Sequence, residues 1–527
     1  MRIHRFTLLV TLAVVLVCVC AGVAIHAVLH ADETGAYQRD FNLYTLVPQS
    51  ATVVVETDRM GDLIEDIDGM PCSRDGHYLY VSDLFVYLKQ YYYTLVTDAP
   101  HGLSKQMNKM LLSFHEPDSP ASQVLYFSLG EGDLELVQSF VQRYSTSANP
   151  PERSSYHGAK LYTYPTSDGR ELTTYHGSNF LAVSLQRALI EQVVDAHRTG
   201  RSLMKLPGFE SMHEVREQGA QAMVYVRMRA VDMGQEKRGR RHRLPPLGSW
   251  AAFNLMLAPE GIYCQGMSHE PDTASTFVSM LSRQEPLTGL AGDRLPRTAI
   301  FHNYIALTDC EALRSFAQQA DTTTGWMDLL ASDSLTYRTD NEAEASERRW
   351  LNFVADYAQG EMMTCLFLDP DGDDERPCAV MSMPVTDERE VRHRLNQRPT
   401  DEDGNAVRRY PCWRIYRGQL LMASNERSLA AYVRMLDRGE VLDKVPGYKE
   451  SAVTLLPSYN FLMMADMEAL TQLSVDNYAQ TMPNFFFQHA RFFRHFIIAM
   501  QLTRQEDTIR PYIVLLYKGD DSRAEAN

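Results

Sequence analysis

The chain has 527 residues, 45% of them hydrophobic and 22% charged, the composition of a folded protein too long for one ordinary core. Its net charge of −16 argues against a nucleic-acid binder, which needs a basic face to neutralise phosphates, and against wide contact with anionic lipid.

In chain order, the first signal is apolar. Residues 6–25 (FTLLVTLAVVLVCVCAGVAI) carry no charge, and as a helix they would cover roughly the hydrocarbon thickness of a bilayer. Arg2 and Arg5 precede the run, and Asp32 and Glu33 follow it. The positive-inside rule predicts a cytoplasmic N-terminus at 1–5, a single-pass transmembrane signal anchor at 6–29 and a tether at 30–45. The body would then be extracytoplasmic, in the periplasm, with the membrane as one partner. A cleaved signal peptide ending at Leu29-His30-Ala31 is the alternative, and the length of the apolar run favours the anchor. Six cysteines lie outside the run, with no C-x-x-C spacing.

Two stretches of similar pattern follow. Residues 51–56 (ATVVVE) and 299–307 (AIFHNYIAL) read as β-branched or aromatic strands, each after a Leu or Val followed by Pro. Residues 83–95 and 349–358 read as helices with an aromatic face. Residues 123–129 and 379–385 read as strands, each before an acid-capped helix, at 133–143 and 387–395. Then Ser184, Gln186, Arg187 and Leu189 spell S-x-Q-R-x-L, and Ser424, Glu426, Arg427 and Leu429 spell S-x-E-R-x-L. Leu206-Pro207-Gly208-Phe209 follows the first motif and Val445-Pro446-Gly447-Tyr448 the second. The interval is 240 residues between the serines and 239 between Phe209 and Tyr448, so the motifs mark a duplication.

Each serine is expected to cap a helix, with Gly200 and Gly439 stopping it. Arg187 and Arg427 are expected to bridge helix to loop. Each copy closes on a hairpin, at 250–267 and 496–517. The predicted fold is α+β: an N-terminal transmembrane helix, then two tandem duplicated α+β domains with mixed or antiparallel sheets, at 46–285 and 286–518. A disordered tail is expected at 519–527.

With the anchor and the repeat in view, the chain resembles a family of membrane-anchored, internally duplicated envelope proteins of Gram-negative bacteria known only as a domain of unknown function. The resemblance rests on Val47-Pro48-Gln49-Ser50-Ala51 and the S-x-Q-R-x-L helix leading to Leu206-Pro207-Gly208-Phe209. It also rests on Gln284-Glu285-Pro286 leading to Leu295-Pro296-Arg297-Thr298-Ala299. It implies an envelope location and a duplicated fold, and it brings no catalytic residues.

Chemical signatures are sparse. There is no G-x-S-x-G elbow and no G-K-[ST] phosphate loop, and Glu217 stands where a zinc helix opening at His213-Glu214 needs histidine. The acidic cluster from Asp369 to Glu375 has its glycine too early for an EF-hand and reads as a solvated hairpin loop. His115-Glu116-Pro117-Asp118 and His269-Glu270-Pro271-Asp272 read as coincidental turns. No cofactor or metal is predicted.

The copies differ most where the first carries a basic run, Lys237, Arg238, Arg240, Arg241 and Arg243, and the second an aromatic one. That aromatic run includes Phe485, Phe486, Phe487, Phe492, Phe493 and Phe496. Charge runs are usually solvated, and phenylalanines usually belong to a core. If either is functional, Lys237 to Arg243, with Phe485, Phe486, Phe492 and Phe493, would receive an envelope protein or polymer. The function expected is therefore a non-catalytic binding or scaffold module. The alternative is an extracytoplasmic enzyme or small-ligand binder with its site between the repeats.

Overall fold

The structure, a computed structural model, describes residues 41–98, 108–116, 119–130, 133, 151–166, 168–213, 220–228, 249–269, 277–319, 351–372, 376–397, 412–423, 425–473, 482–506 and 508–519. They fall in two compact units, one within 41–61 and 81–206, the other within 62–80 and 207–519.

The first unit is built on strands β1 (Val53–Thr57), β2 (Met110–Phe114), β3 (Gln123–Ser128), β4 (Glu152–Tyr156), β5 (Ala159–Pro165), β6 (Glu171–His176) and β7 (Phe180–Ser184). They pair in the order β1-β2-β3-β7-β6-β5-β4, antiparallel throughout. Strands β3 and β7 are buried along their whole length, which is why their sequences run apolar instead of alternating. At the other extreme β4 (ERSSY) is largely exposed, and its charges suit a sheet edge.

The helix Arg187–Thr199 lays Leu189, Ile190, Val193 and Val194 onto this sheet. Full burial of each such side chain is worth about 1.5–3 kcal/mol, so the amphipathic spacing holds the helix in place more than its propensity does. It stops at Gly200, whose φ of 67° is the left-handed conformation that glycine adopts without Cβ strain.

The second unit adds β8 (Ala222–Arg227), β9 (Trp250–Ala258), β10 (Gly261–His269), β11 (Leu287–Thr288), β12 (Ala299–Leu307), β13 (Gly360–Phe367), β14 (Cys378–Pro384), β15 (Cys412–Tyr416), β16 (Gln419–Ala423), β17 (Ser458–Tyr459), β18 (Phe461–Asp466), β19 (Phe496–Gln505) and β20 (Thr508–Tyr517). Eleven of these form one antiparallel sheet in the order β8-β9-β10-β20-β19-β18-β12-β13-β14-β16-β15. β11 and β17 make a short ribbon beside it.

Alternation along β12 divides the core. Phe301 and Ile305 enter one cluster with Leu313 and Phe316 of the helix Cys310–Gln319. Tyr304 points to the other face, packing with Leu429, Tyr432 and Met435 of the helix Glu426–Arg438.

The duplication is visible as a shared frame. Strand order β12-β13-β14-β16-β15 repeats β1-β2-β3-β7-β6. The Arg187 and Glu426 helices each have 13 residues, and both end at a glycine with φ 67°. Each frame is closed by an isolated bridge, Pro48↔Ser202 in one and Pro296↔Val441 in the other. Beside each bridge, the Leu203 N–H donates to the Val47 carbonyl at 2.8 Å and the Leu442 N–H to the Leu295 carbonyl at 2.9 Å.

Several expectations are corrected. The fold is dominated by large antiparallel sheet, not by two tandem α+β domains with mixed or antiparallel sheets behind a transmembrane helix. The strand that closes the first copy, β10, is hydrogen-bonded to β20 of the second, from Gly261↔Leu516 to Gln265↔Tyr512. Local periodicity reveals strands but not their non-local partners, so the sharing was invisible in the sequence. No helix among the described residues is long and apolar enough to cross a membrane. The segments assigned to the anchor (6–29), the tether up to residue 40 and the tail beyond Gly519 lie outside the described residues, as do Ser424 and the helix expected at 134–143.

The Ser184 cap is also corrected. Ser184 ends β7, buried, donating to the Gln123 carbonyl at 2.6 Å and accepting the Gln186 N–H at 3.0 Å. Gln186 is the N-cap residue and makes no side-chain capping bond, whereas in the second copy Asn425 accepts the Ser428 N–H at 2.9 Å.

Candidate functional site

The basic run Lys237, Arg238, Arg240, Arg241 and Arg243 lies outside the described residues. The aromatic run occupies two short helices, Asn484–Gln488 and Ala490–Phe493, that lead into β19. Phe492, Phe493 and Phe496 are buried, and Phe486 and Phe487 pack half-buried against the same cluster. Their rings interlock edge to face or tilted: Phe486 and Phe493 at 4.8 Å, Phe492 and Phe493 at 5.1 Å, Phe492 and Phe496 at 4.9 Å. Phe485 is the member that reaches solvent, 38% exposed and 5.5 Å from the Phe493 ring. The run is therefore mainly a core plug with one outward ring.

The same ring network extends to a segment that the sequence did not flag. Phe496 meets Tyr517 at 5.4 Å, and Tyr517 lies 6.4 Å from His77, which stacks on His495 at 3.6 Å. The Tyr517 hydroxyl donates to Asp75 Oδ2 at 2.5 Å. These contacts fix the start of a non-regular stretch that carries Tyr78, Leu79 and Tyr80 outward. Tyr78 is 58% exposed and Tyr80 52%. In sequence, Y-L-Y-V before the helix Asp83–Asp98 looks like an ordinary buried approach to a helix. The available signal was the i, i+2 spacing of two tyrosines, and it does not distinguish buried from exposed.

The remaining charged residues of the duplicated motif are accounted for. Arg187 pairs within its own helix with Glu191 at 2.9 Å, not with a loop. Arg427 does face a loop, 3.9 Å from Asp369. Arg434 Nη2 is 2.5 Å from Asp369, and Arg438 Nη1 is 2.6 Å from Asp371. The Glu426 helix thus turns three guanidinium groups onto the turn after β13. Asp369 and Oδ2 of Asp371 are thereby paired with arginine; residues 373–375 lie outside the described residues. Among the described residues no group of three His, Cys, Asp or Glu side chains is placed to hold a metal ion.

One polar cluster in the first unit was likewise not anticipated. Pro48 to Ala51 forms a turn closed by the Ala51 N–H on the Pro48 carbonyl at 3.1 Å, leaving Ser50 exposed at its crest. Ser50 Oγ lies 2.9 Å from His115 Nδ1 and donates to Gln192 Oε1 on the Arg187 helix at 2.7 Å. His115 follows β2 and is buried, with Nε2 2.9 Å from Ser113 Oγ, which is 3.3 Å from the Tyr126 hydroxyl. Burial pushes the His115 imidazole down to about 4, so it is neutral near pH 7. The sequence places His115 in a turn. What makes it a cluster is the β1–β2 register, which sets the end of β2 beside the turn that leads into β1.

Comparison with known proteins adds little chemistry. A family model described as a protein of unknown function (DUF3352) matches residues 113–320. No curated protein matches the chain. Among solved structures, one titled "Structure of crystal form I of TP0453" is similar over 48% of this chain and 90% of its own, at 10% identity and a TM-score of 0.24.

Proposed function

We propose that this protein is a binding or scaffold module of the cell envelope. In this reading the uncharged run at 6–25 holds it at the inner membrane, and its acidic body works on the extracytoplasmic side, docking an envelope protein. The observation that carries the reading is the outward pair Tyr78 and Tyr80, held at its base by the His77–His495 stack. Large aromatic side chains left in water forgo about 25 cal/mol for each Å² of apolar area, and tyrosine regains that on docking while its hydroxyl stays hydrogen-bonded. Rigid aromatic anchors of this type dominate the binding energy of protein interfaces.

The test is photo-crosslinking from position 78 or 80 in membranes that contain the full-length protein. A discrete adduct with one envelope protein, lost when the other tyrosine is changed to serine, is the expected result. Adducts that are absent, or unchanged by Tyr78→Ser and Tyr80→Ser, would refute it. The location is tested separately: a reporter that is active only in the cytoplasm, fused after Asn527, should stay silent.

A further inference from the structure

We propose that Ser50 is a nucleophile for acyl transfer from carboxylic esters, with His115 as its base. The reading is independent of the docking surface, and it places the chemistry inside the first unit. Three observations meet here. Ser50 is exposed at the crest of a turn, with its Oγ in hydrogen-bond reach of His115 Nδ1. The far nitrogen of the same ring is held by Ser113. Finally, the other copy of the frame does without the pair. Pro48 and Pro296 make the equivalent bridges, so Thr298, two residues on, stands where Ser50 does, and Phe301 opposite Leu366, as Val53 is opposite Phe114, puts Phe367 in the place of His115. Thr298 simply donates to the Leu368 carbonyl. The turn therefore folds without a serine–histidine pair, and the pair in the first copy is not demanded by the frame.

The groups are arranged for the reaction. With Nε2–H donating to Ser113 Oγ, Nδ1 carries the lone pair that faces Ser50. Ser113 can pass its own proton on to the Tyr126 hydroxyl. A half-turn of the Gln192 amide presents its Nε2 to Ser50 Oγ as a donor, which leaves the serine proton for His115. The Ser50 backbone N–H makes no hydrogen bond among the described residues, and the nucleophile's own N–H is a usual oxyanion donor in serine catalysis.

In the step itself, Ser50 Oγ attacks the ester carbonyl carbon and loses its proton to Nδ1. The bond from carbonyl carbon to alkoxy oxygen breaks, and the departing alkoxide takes that proton from Nδ1. The product is an acyl ester on Ser50 plus a free alcohol; water then attacks the acyl carbon by the reverse proton path, releasing acid and regenerating Ser50. No oxidation state changes.

The experiment uses the full-length protein in its membrane with a fluorophosphonate–biotin probe, followed by peptide mapping. Ser50 should be labelled, and Ser50→Ala should abolish the label. His115→Gln should slow labelling by roughly 100-fold or more, the usual worth of a positioned base. Because His115 is buried, Ser113→Ala supplies a second variant: labelling should slow about tenfold, and Ser113→Thr, which keeps the hydroxyl, should restore it. An unlabelled Ser50 in the wild type, or labelling equally fast in His115→Gln or in Ser113→Ala, would overturn the proposal.

Discussion

The two copies of the repeat share a frame and differ in what the frame holds. In the first, the turn before β1 sets Ser50 on a buried histidine. In the second, the turn before β12 sets Thr298 on a backbone carbonyl, with Phe367 in the histidine's place. The helices differ alike: Gln192 reaches the Ser50 turn, whereas the buried Tyr432 donates to the Arg294 carbonyl at 2.5 Å. Tyr175 bonds His197 at 2.9 Å, while Tyr416 bonds Asp437 at 2.6 Å. Backbone bridges, glycine caps and buried apolar positions recur, and the polar partners are exchanged. A duplicated frame of this kind is fixed by packing and hydrogen-bonded backbone, so its polar positions are free to specialise.

The largest test strikes the shared strut. Leu203 and Leu442 both carry the N–H that closes their frame and both are buried. Truncating either to alanine should cost about 2–5 kcal/mol in urea unfolding. A cost under about 1 kcal/mol at one of them would break the equivalence of the frames.

A second test sharpens the difference in buried histidines. Burial holds His115 down to about 4 and His302 down to about 3, against 6.5 for both when unhindered. Between those values the unfolded chain binds a proton that the folded chain refuses. Stability is therefore full above pH 6.5 and is lost as pH falls through that window, by on the order of 3 kcal/mol for His115 alone. Substituting His115→Phe, the residue used by the other copy, should flatten the slope of unfolding free energy between pH 6.5 and 4. His302→Val, which copies Val54, should flatten it further and extend the flat region toward pH 3.

The smallest test concerns the caps. Asn425→Ala should cost about 1 kcal/mol, while Gln186→Ala, which removes no capping bond, should stay within about 0.5 kcal/mol of wild type. Equal effects would mean the helix starts are more alike than their hydrogen bonds.

These contrasts also show what the sequence carries. Gly200 and Gly439 were legible as helix stops because a left-handed turn has a local chemical signature. The paired intervals were legible because duplication keeps spacing. Ser184 misled because a serine before a helix and a serine ending a buried strand look alike until the strand's neighbour, with the Gln123 carbonyl, is known. The joining of β10 to the second copy was illegible for the same reason at larger scale, since nothing within residues 261–269 reports that Thr508–Tyr517 will lie alongside. The Ser50 cluster joins three segments, at residues 50, 113–115 and 192, through strand register and helix docking. The phenylalanine run was visible as a cluster, but the fact that Phe485 alone is strongly exposed depends on how two short helices turn.

The pairing of β10 with β20 has a consequence in time. Residues about 250 apart in sequence must meet before β10 gains this partner. During synthesis β9 and β10 emerge as a hairpin whose outer edge waits for β20 until translation has passed Tyr517. Gly261 on that edge admits close approach, because a side chain there would run into the Leu515 carbonyl. The nascent chain therefore exposes an open, glycine-marked strand while residues 270–507 are made. Such an edge invites pairing with other chains, so a chaperone at this stage would protect it.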